Sequence, residues 1–123
     1  MGGMELEILP QEFSVCKVAD FRGADLEAPF VFAASTDTEK SLVCPTALVP
    51  RETVAREDGW RAFRVAGTLD FSLVGILSSL SKTLADAGIG LFAVSTFDTD
   101  YILVKAAGFS RAIAALRAAG HEV

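Results

Sequence analysis

Between residues 73 and 87 apolar side chains recur at spacings of three and four: Leu73, Ile76, Leu77, Leu80, Leu84 and Ala87. Ser78, Ser79, Ser81, Lys82 and Asp86 fill the other positions. That period predicts one amphipathic helix with a single buried face. Asp70 or Ser72 stands where an N-cap belongs, and Gly88 can adopt the left-handed conformation that ends a helix. Beyond it the pattern predicts a strand over 89–96, a turn at Phe97-Asp98-Thr99 and a strand over 100–105. Ser110 is placed to cap a last helix carrying Ile113, Leu116 and Ala119 and ended by Gly120, with 121–123 starting a further strand. With 60–66 as a strand ahead of the first helix, the order is β-α-β-β-α-β, the plan of a ferredoxin-like α+β fold.

The first half carries a weaker version of the same pattern. Residues 12–19 form a short β-type run, and 30–35 and 41–45 read as a hairpin around the polar turn 36–40. Between them, 20–29 has no sustained helical face. Pro50 can occupy a helix's first turn with Glu52 near its positive N-terminus, so 50–58 is expected to be a short helix closed by Gly59.

The two halves also match residue by residue. Phe92-Ala93-Val94-Ser95-Thr96 repeats Phe32-Ala33-Ala34-Ser35-Thr36 sixty positions later with one change, and the same offset sets Leu42-Val43-Cys44 over Ile102-Leu103-Val104. Upstream the offset falls to forty-seven, with Cys16-Lys17-Val18-Ala19 over Phe63-Arg64-Val65-Ala66. The chain therefore reads as two copies of one unit, 1–59 and 60–123, the first lacking its first helix.

Composition narrows the function. The chain of 123 residues suits one compact domain or two interlocked halves. A hydrophobic content of 51% and a mean hydropathy of +0.42 are high, yet no run approaches the roughly eighteen apolar residues of a spanning helix. That excess predicts a homodimer. A net charge of −5 and a pI near 4.7, without a Lys/Arg cluster, argue against nucleic acid and anionic membrane as partners. The start, Met1 to Met4, has no secretory pattern, so a cytoplasmic protein is expected. Cys16 and Cys44 supply neither a CxxC pair nor a zinc site, and face Phe63 and Val104 in the repeat, which predicts buried strand packing.

The β-α-β-β-α-β order, the Gly75-x-Leu77 step into the amphipathic helix, and Ala87-Gly88-Ile89 before the next strand resemble the ACT domain. The resemblance covers 60–123 and, in degenerate form, the preceding half. The run Ser95 to Val104 is similar to paired ACT proteins of the kind that includes the CASTOR-type arginine sensors. Two tandem ACT-like units are thus implied. ACT domains bind amino acids at an interface between two of them and pass the occupancy to an enzyme or protein partner. Matched to this chain, the implied site is Leu73, Gly75, Ile76 and Leu77 on one side and Thr96, Phe97 and Asp100 on the other.

Local chemistry supports the same region. Backbone N–H groups at Val74, Gly75 and Ile76, at a helix N-terminus, suit an α-carboxylate. Asp100, with Asp98 in reserve, suits an ammonium or cationic side chain. Each has a plain competitor: Asp70 and Ser72 as helix caps, Asp98 as a turn former, Gly75 as a close-packing residue.

Catalysis finds little support. His121 lies three residues from the end, Asp98 and Asp100 lack a third metal ligand, and no phosphate-cradling glycine motif occurs. No cofactor or metal is expected. The reading is a non-catalytic regulatory protein for a free amino acid or similar small metabolite. The alternative is a ferredoxin-like protein-protein docking module with no ligand.

Overall fold

The computed structural model describes residues 3–66 and 75–123. Six strands and two helices follow one another: β1 Leu6–Val18, β2 Phe32–Ser35, β3 Lys40–Pro45, β4 Ala55–Val65, α1 Ile76–Asp86, β5 Phe92–Ser95, β6 Asp100–Lys105 and α2 Phe109–Ala118. The chain divides into two compact units. The C-terminal unit holds Met1–Pro10 with Arg61–Val123, and the N-terminal unit holds Gln11–Trp60. The long strands β1 and β4 each contribute to both.

In the C-terminal unit the strand order is β1-β4-β6-β5. The predicted period is what builds its core. Leu80 and Leu84 on α1 and Ala112 and Leu116 on α2 close over Phe63, Val65, Ile102 and Val104, all fully buried, with Ile76, Leu77 and Ala87 packed at the margin. At the end of α1, Gly88 has φ 76°. Its N–H reaches Ala85 O at 2.9 Å while Ile89 N–H reaches Leu84 O at 2.9 Å, the paired closure of a Schellman motif. Gly120, at φ 96°, closes α2 the same way through Arg117 and Leu116. The C-terminal residues then run beside the start of β1. Leu6 N–H donates to Glu122 O at 2.7 Å, Glu122 N–H to Met4 O at 2.8 Å, and Met4 N–H to His121 Nδ1 at 3.0 Å.

In the N-terminal unit the order is β2-β3-β1-β4, and no α-helix covers the sheet. Phe21, Ala24, Val31, Leu48 and Val49 pack instead on Cys16, Val18, Leu42 and Cys44. The loop between β1 and β2 and the segment after β3 thus supply the apolar cover of this sheet. Phe30 holds φ 66° there, a strained conformation for an aromatic residue, with its ring edge-on to Phe13 at 6.5 Å. The hairpin repeats as the sequence implies. Phe32 opposes Val43 and Ser35 opposes Lys40, and sixty residues on Phe92 opposes Leu103 and Ser95 opposes Asp100.

Two expectations are corrected. Residues 50–58 are not a helix, because β4 begins at Ala55 and Val54 N–H already donates to Lys17 O at 2.7 Å. A nine-residue helix with only Val54 and Ala55 for an apolar face is marginal, and pairing with β1 outweighs its start signals. Ser110 is not a cap, since Gly108 holds the N-cap position of α2 without a side-chain bond. Gly75 stands at the N-cap position of α1, at φ 79°. Asp70, Ser72, Leu73 and Val74 lie outside the described residues.

One polar knot anchors the N-terminal unit. Ser14, fully buried, donates to Asp58 and shares a 2.8 Å bond with Thr46 Oγ1, while Arg56 Nε bonds Asp58 at 2.8 Å. The Arg56 hydrogen bond, and after it the Ser14 hydrogen bond, hold the Asp58 carboxyl below its ordinary value. A depressed folded pKa contributes stability above the unfolded value, lost as pH falls through the folded one. Urea midpoints of wild type and Asp58→Asn are therefore expected to differ near neutral pH and to converge in strong acid.

Candidate functional site

Strand alternation puts Phe63 and Val65 into the core and turns Arg64, between them, to the opposite face of the sheet. There Arg64 meets its neighbours on either side. Its Nε lies 3.1 Å from Glu7 Oε1 on β1, its Nη1 donates to the Tyr101 hydroxyl on β6 at 3.2 Å, and the guanidinium lies 5.9 Å from the Tyr101 ring centre. The Tyr101 bond first, and the Glu7 bond second, raise the Arg64 pKa, so the guanidinium is a fixed positive charge.

This row forms one wall of a cavity of about 250 Å³, whose other wall is the β5–β6 turn with Thr96, Asp98 and Thr99. The turn is held by its own threonines. Thr96 N–H donates to Thr99 O at 2.9 Å, Thr96 Oγ1 donates to the same oxygen at 3.0 Å, and buried Thr99 donates its hydroxyl to Val65 O at 2.8 Å. Val65 also lines the cavity, so the last bond ties the turn to the end of β4. The cavity presents a guanidinium, two carboxylates (Glu7 and Asp98), hydroxyls and a phenol. That set matches a ligand bearing an anionic and a cationic group close together.

Of the residues expected from sequence, Thr96 lines this cavity, and so does Asp98, the reserve. Asp100 stands at the start of β6 and accepts the Ser95 hydroxyl at 2.6 Å. Phe97, at the tip of the turn, is 80% exposed. Gly75 opens α1, and Ile76 and Leu77 pack against the hydrophobic core. Leu73 and Val74 lie outside the described residues. Sequence reasoning missed Glu7, Arg64 and Tyr101. A signal for Arg64 was present: a charged residue set between Phe63 and Val65, over Lys17 in the repeat.

The cysteines offer no competing chemistry. Both are buried. Burial, and then the Cys16 charge, push the Cys44 thiol up to about 11, and burial raises Cys16 as well. Thiols so shifted stay protonated and inert near neutral pH. No helix among the described residues is long and apolar enough to cross a membrane.

The family model of the ACT domain matches residues 55–118. An X-ray structure of a protein from Agrobacterium tumefaciens is similar at 32% identity and TM-score 0.87, over 99% of this chain and 92% of that one. A Vibrio cholerae protein of unknown function, described as a possible transport protein, superposes at TM-score 0.71 with 18% identity over 94% and 88% of the two chains. The ligand-free regulatory subunit of aspartate kinase from Thermus thermophilus does so at 0.63, with 7% identity over 94% and 96%. The last two likenesses speak to the fold alone. No curated protein matches the sequence.

Proposed function

The chain belongs to the ACT domain family, and on that premise we propose that it is a non-catalytic regulatory protein whose C-terminal unit binds a free amino acid, or a metabolite of the same zwitterionic form. The observation that carries the reading is a fixed guanidinium and two carboxylates on one cavity of about 250 Å³. Arg64 takes the α-carboxylate, Asp98 takes the α-ammonium, and the Thr96 hydroxyl supplies a neutral contact. The start of α1 from Gly75 to Leu77, and Asp100 beyond the turn, adjoin this site in the same proposal. The fold shared with an aspartate kinase regulatory subunit favours regulation over catalysis.

The proposal also takes the halves 1–59 and 60–123 as two ACT-like units, the first degenerate. The protein is cytoplasmic and works as a homodimer that reports occupancy to a protein partner. A second reading, a docking module without ligand, has one observation in its favour: Phe97 is 80% exposed at the tip of its turn, as a contact residue would be.

Thermal denaturation against each of the twenty amino acids at millimolar concentration separates the two readings. A ligand at a hundred times its Kd adds about 2.7 kcal/mol, a rise of several degrees in a domain of this size. A rise with one amino acid or a related few supports the sensor. A flat panel supports the docking module.

A further inference from the structure

We propose that His121 is a proton-operated latch: the uncharged imidazole fastens residues 121–123 to the segment that opens β1, and a proton on the ring releases them. The two segments belong to the same compact unit. His121, the single histidine of the chain, is 9% exposed. Its own N–H donates to Leu116 O at 3.0 Å where α2 closes, so the ring is carried on a fixed helix end. From there Nδ1 accepts the Met4 N–H at 3.0 Å, across 117 positions of chain. Gly3 lies flush against the same helix end, where a Cβ would meet Gly120 O at 2.0 Å. Beside the ring, Leu6 N–H reaches Glu122 O at 2.7 Å and Glu122 N–H reaches Met4 O at 2.8 Å, while the Met4 and Val123 side chains pack on the hydrophobic core.

The Met4 bond specifies a charge state. An imidazole that accepts at Nδ1 carries its single proton at Nε2. A second proton enters at Nδ1, turns the acceptor into a donor and sets N–H against N–H, so the buried Met4 N–H loses its partner. The charged side chains on the segments around the ring are Glu5 and Glu7 on the β1 side, Arg117 on α2 and Glu122 beside it. Glu7 is engaged by Arg64, Arg117 by Val123 O at 2.9 Å, and Glu5 and Glu122 are exposed. Among the described residues no carboxylate lies within ion-pair distance of His121.

Imidazole is the side chain whose charge ordinarily changes between about pH 5 and 8. The bond needs the uncharged ring, so the contacts it holds are present at the upper end of that range and lost toward the lower. The strand so released carries Glu7, the partner of Arg64, so the charge on one ring sets how firmly that wall of the cavity is held. The latch stands whether or not a ligand binds at Arg64, and its test needs none.

The test is amide hydrogen exchange on the full chain, with the ring nitrogens of His121 read by NMR. At about pH 8 the Nε2–H form is expected, with the Met4, Leu6 and Glu122 amides protected. At about pH 5 their protection, taken relative to the intrinsic rate at each pH, should fall roughly tenfold or more while the amides of β6 keep theirs. His121→Asn, whose Oδ1 accepts without titrating, should hold the three amides at both pH values, and His121→Phe should lose them at both. Any of four results would overturn the latch: the Nδ1–H form at the higher pH, unchanged protection in wild type, full protection in His121→Phe, or the same acid loss in His121→Asn as in wild type.

Discussion

Replacing Phe63 by alanine is expected to cost about 3–5 kcal/mol and to lower the thermal midpoint by roughly 10 °C or more. Phe63 is fully buried at the middle of the C-terminal core, and both helices close over the cluster it belongs to. Its removal leaves a cavity under two helices at once, which neither can fill without losing its packing on Ile102, Val104 and the rest of the sheet. A domain of this size has about 5–15 kcal/mol in total, so a large part of the margin goes with one ring. Differential scanning calorimetry measures the effect. A loss below about 1 kcal/mol would mean that the helices do not close on the sheet as described.

Arg64→Met is expected to behave in the opposite way, sparing the fold and abolishing the ligand response. Methionine keeps an apolar stem on the strand and removes the charge. The Arg64–Glu7 pair is partly solvated, with side chains 31% and 45% exposed, and pairs of that kind contribute about 0–1 kcal/mol. The thermal midpoint of the free protein should barely move. A carboxylate ligand, by contrast, loses a charge-assisted hydrogen bond of about 1.5–3 kcal/mol, a weakening of roughly tenfold to a hundredfold. The contrast with Asp100→Asn is informative, since Asp100 holds the Ser95 hydroxyl and does not line the cavity. If Asp100→Asn abolished binding while Arg64→Met left it intact, the site would lie at the helix start and not at the Arg64 row.

The C-terminal half was legible because its signals are local. Leu80 and Leu84 carry a helical period, Gly88 stops it, and β5 and β6 face each other across one short turn, so each element needs only its near neighbours in the chain. The segment 50–58 misled for the same reason. Its proline, acidic residue and closing glycine form a local helix signature, and pairing of Val54 with Lys17, thirty-seven positions away in the chain, overrides it.

The candidate site was legible only in part. Thr96 and Asp98 lie on the turn that the repeat marks. Glu7, Arg64 and Tyr101 come together only through the register of three strands far apart in sequence, which no spacing within one segment reveals. The forty-seven-residue offset did, however, place Arg64 over Lys17. A cation at matched positions, set between buried neighbours on its strand, is the signal in the sequence that points to Arg64.

The most direct measurement is a calorimetric titration of wild type and Arg64→Met, side by side, with the amino acid that raises the thermal midpoint most. Saturable binding to wild type and at least tenfold weaker binding to the variant are expected, with equal unfolding midpoints for the two free proteins. Equal affinities would contradict the Arg64 site.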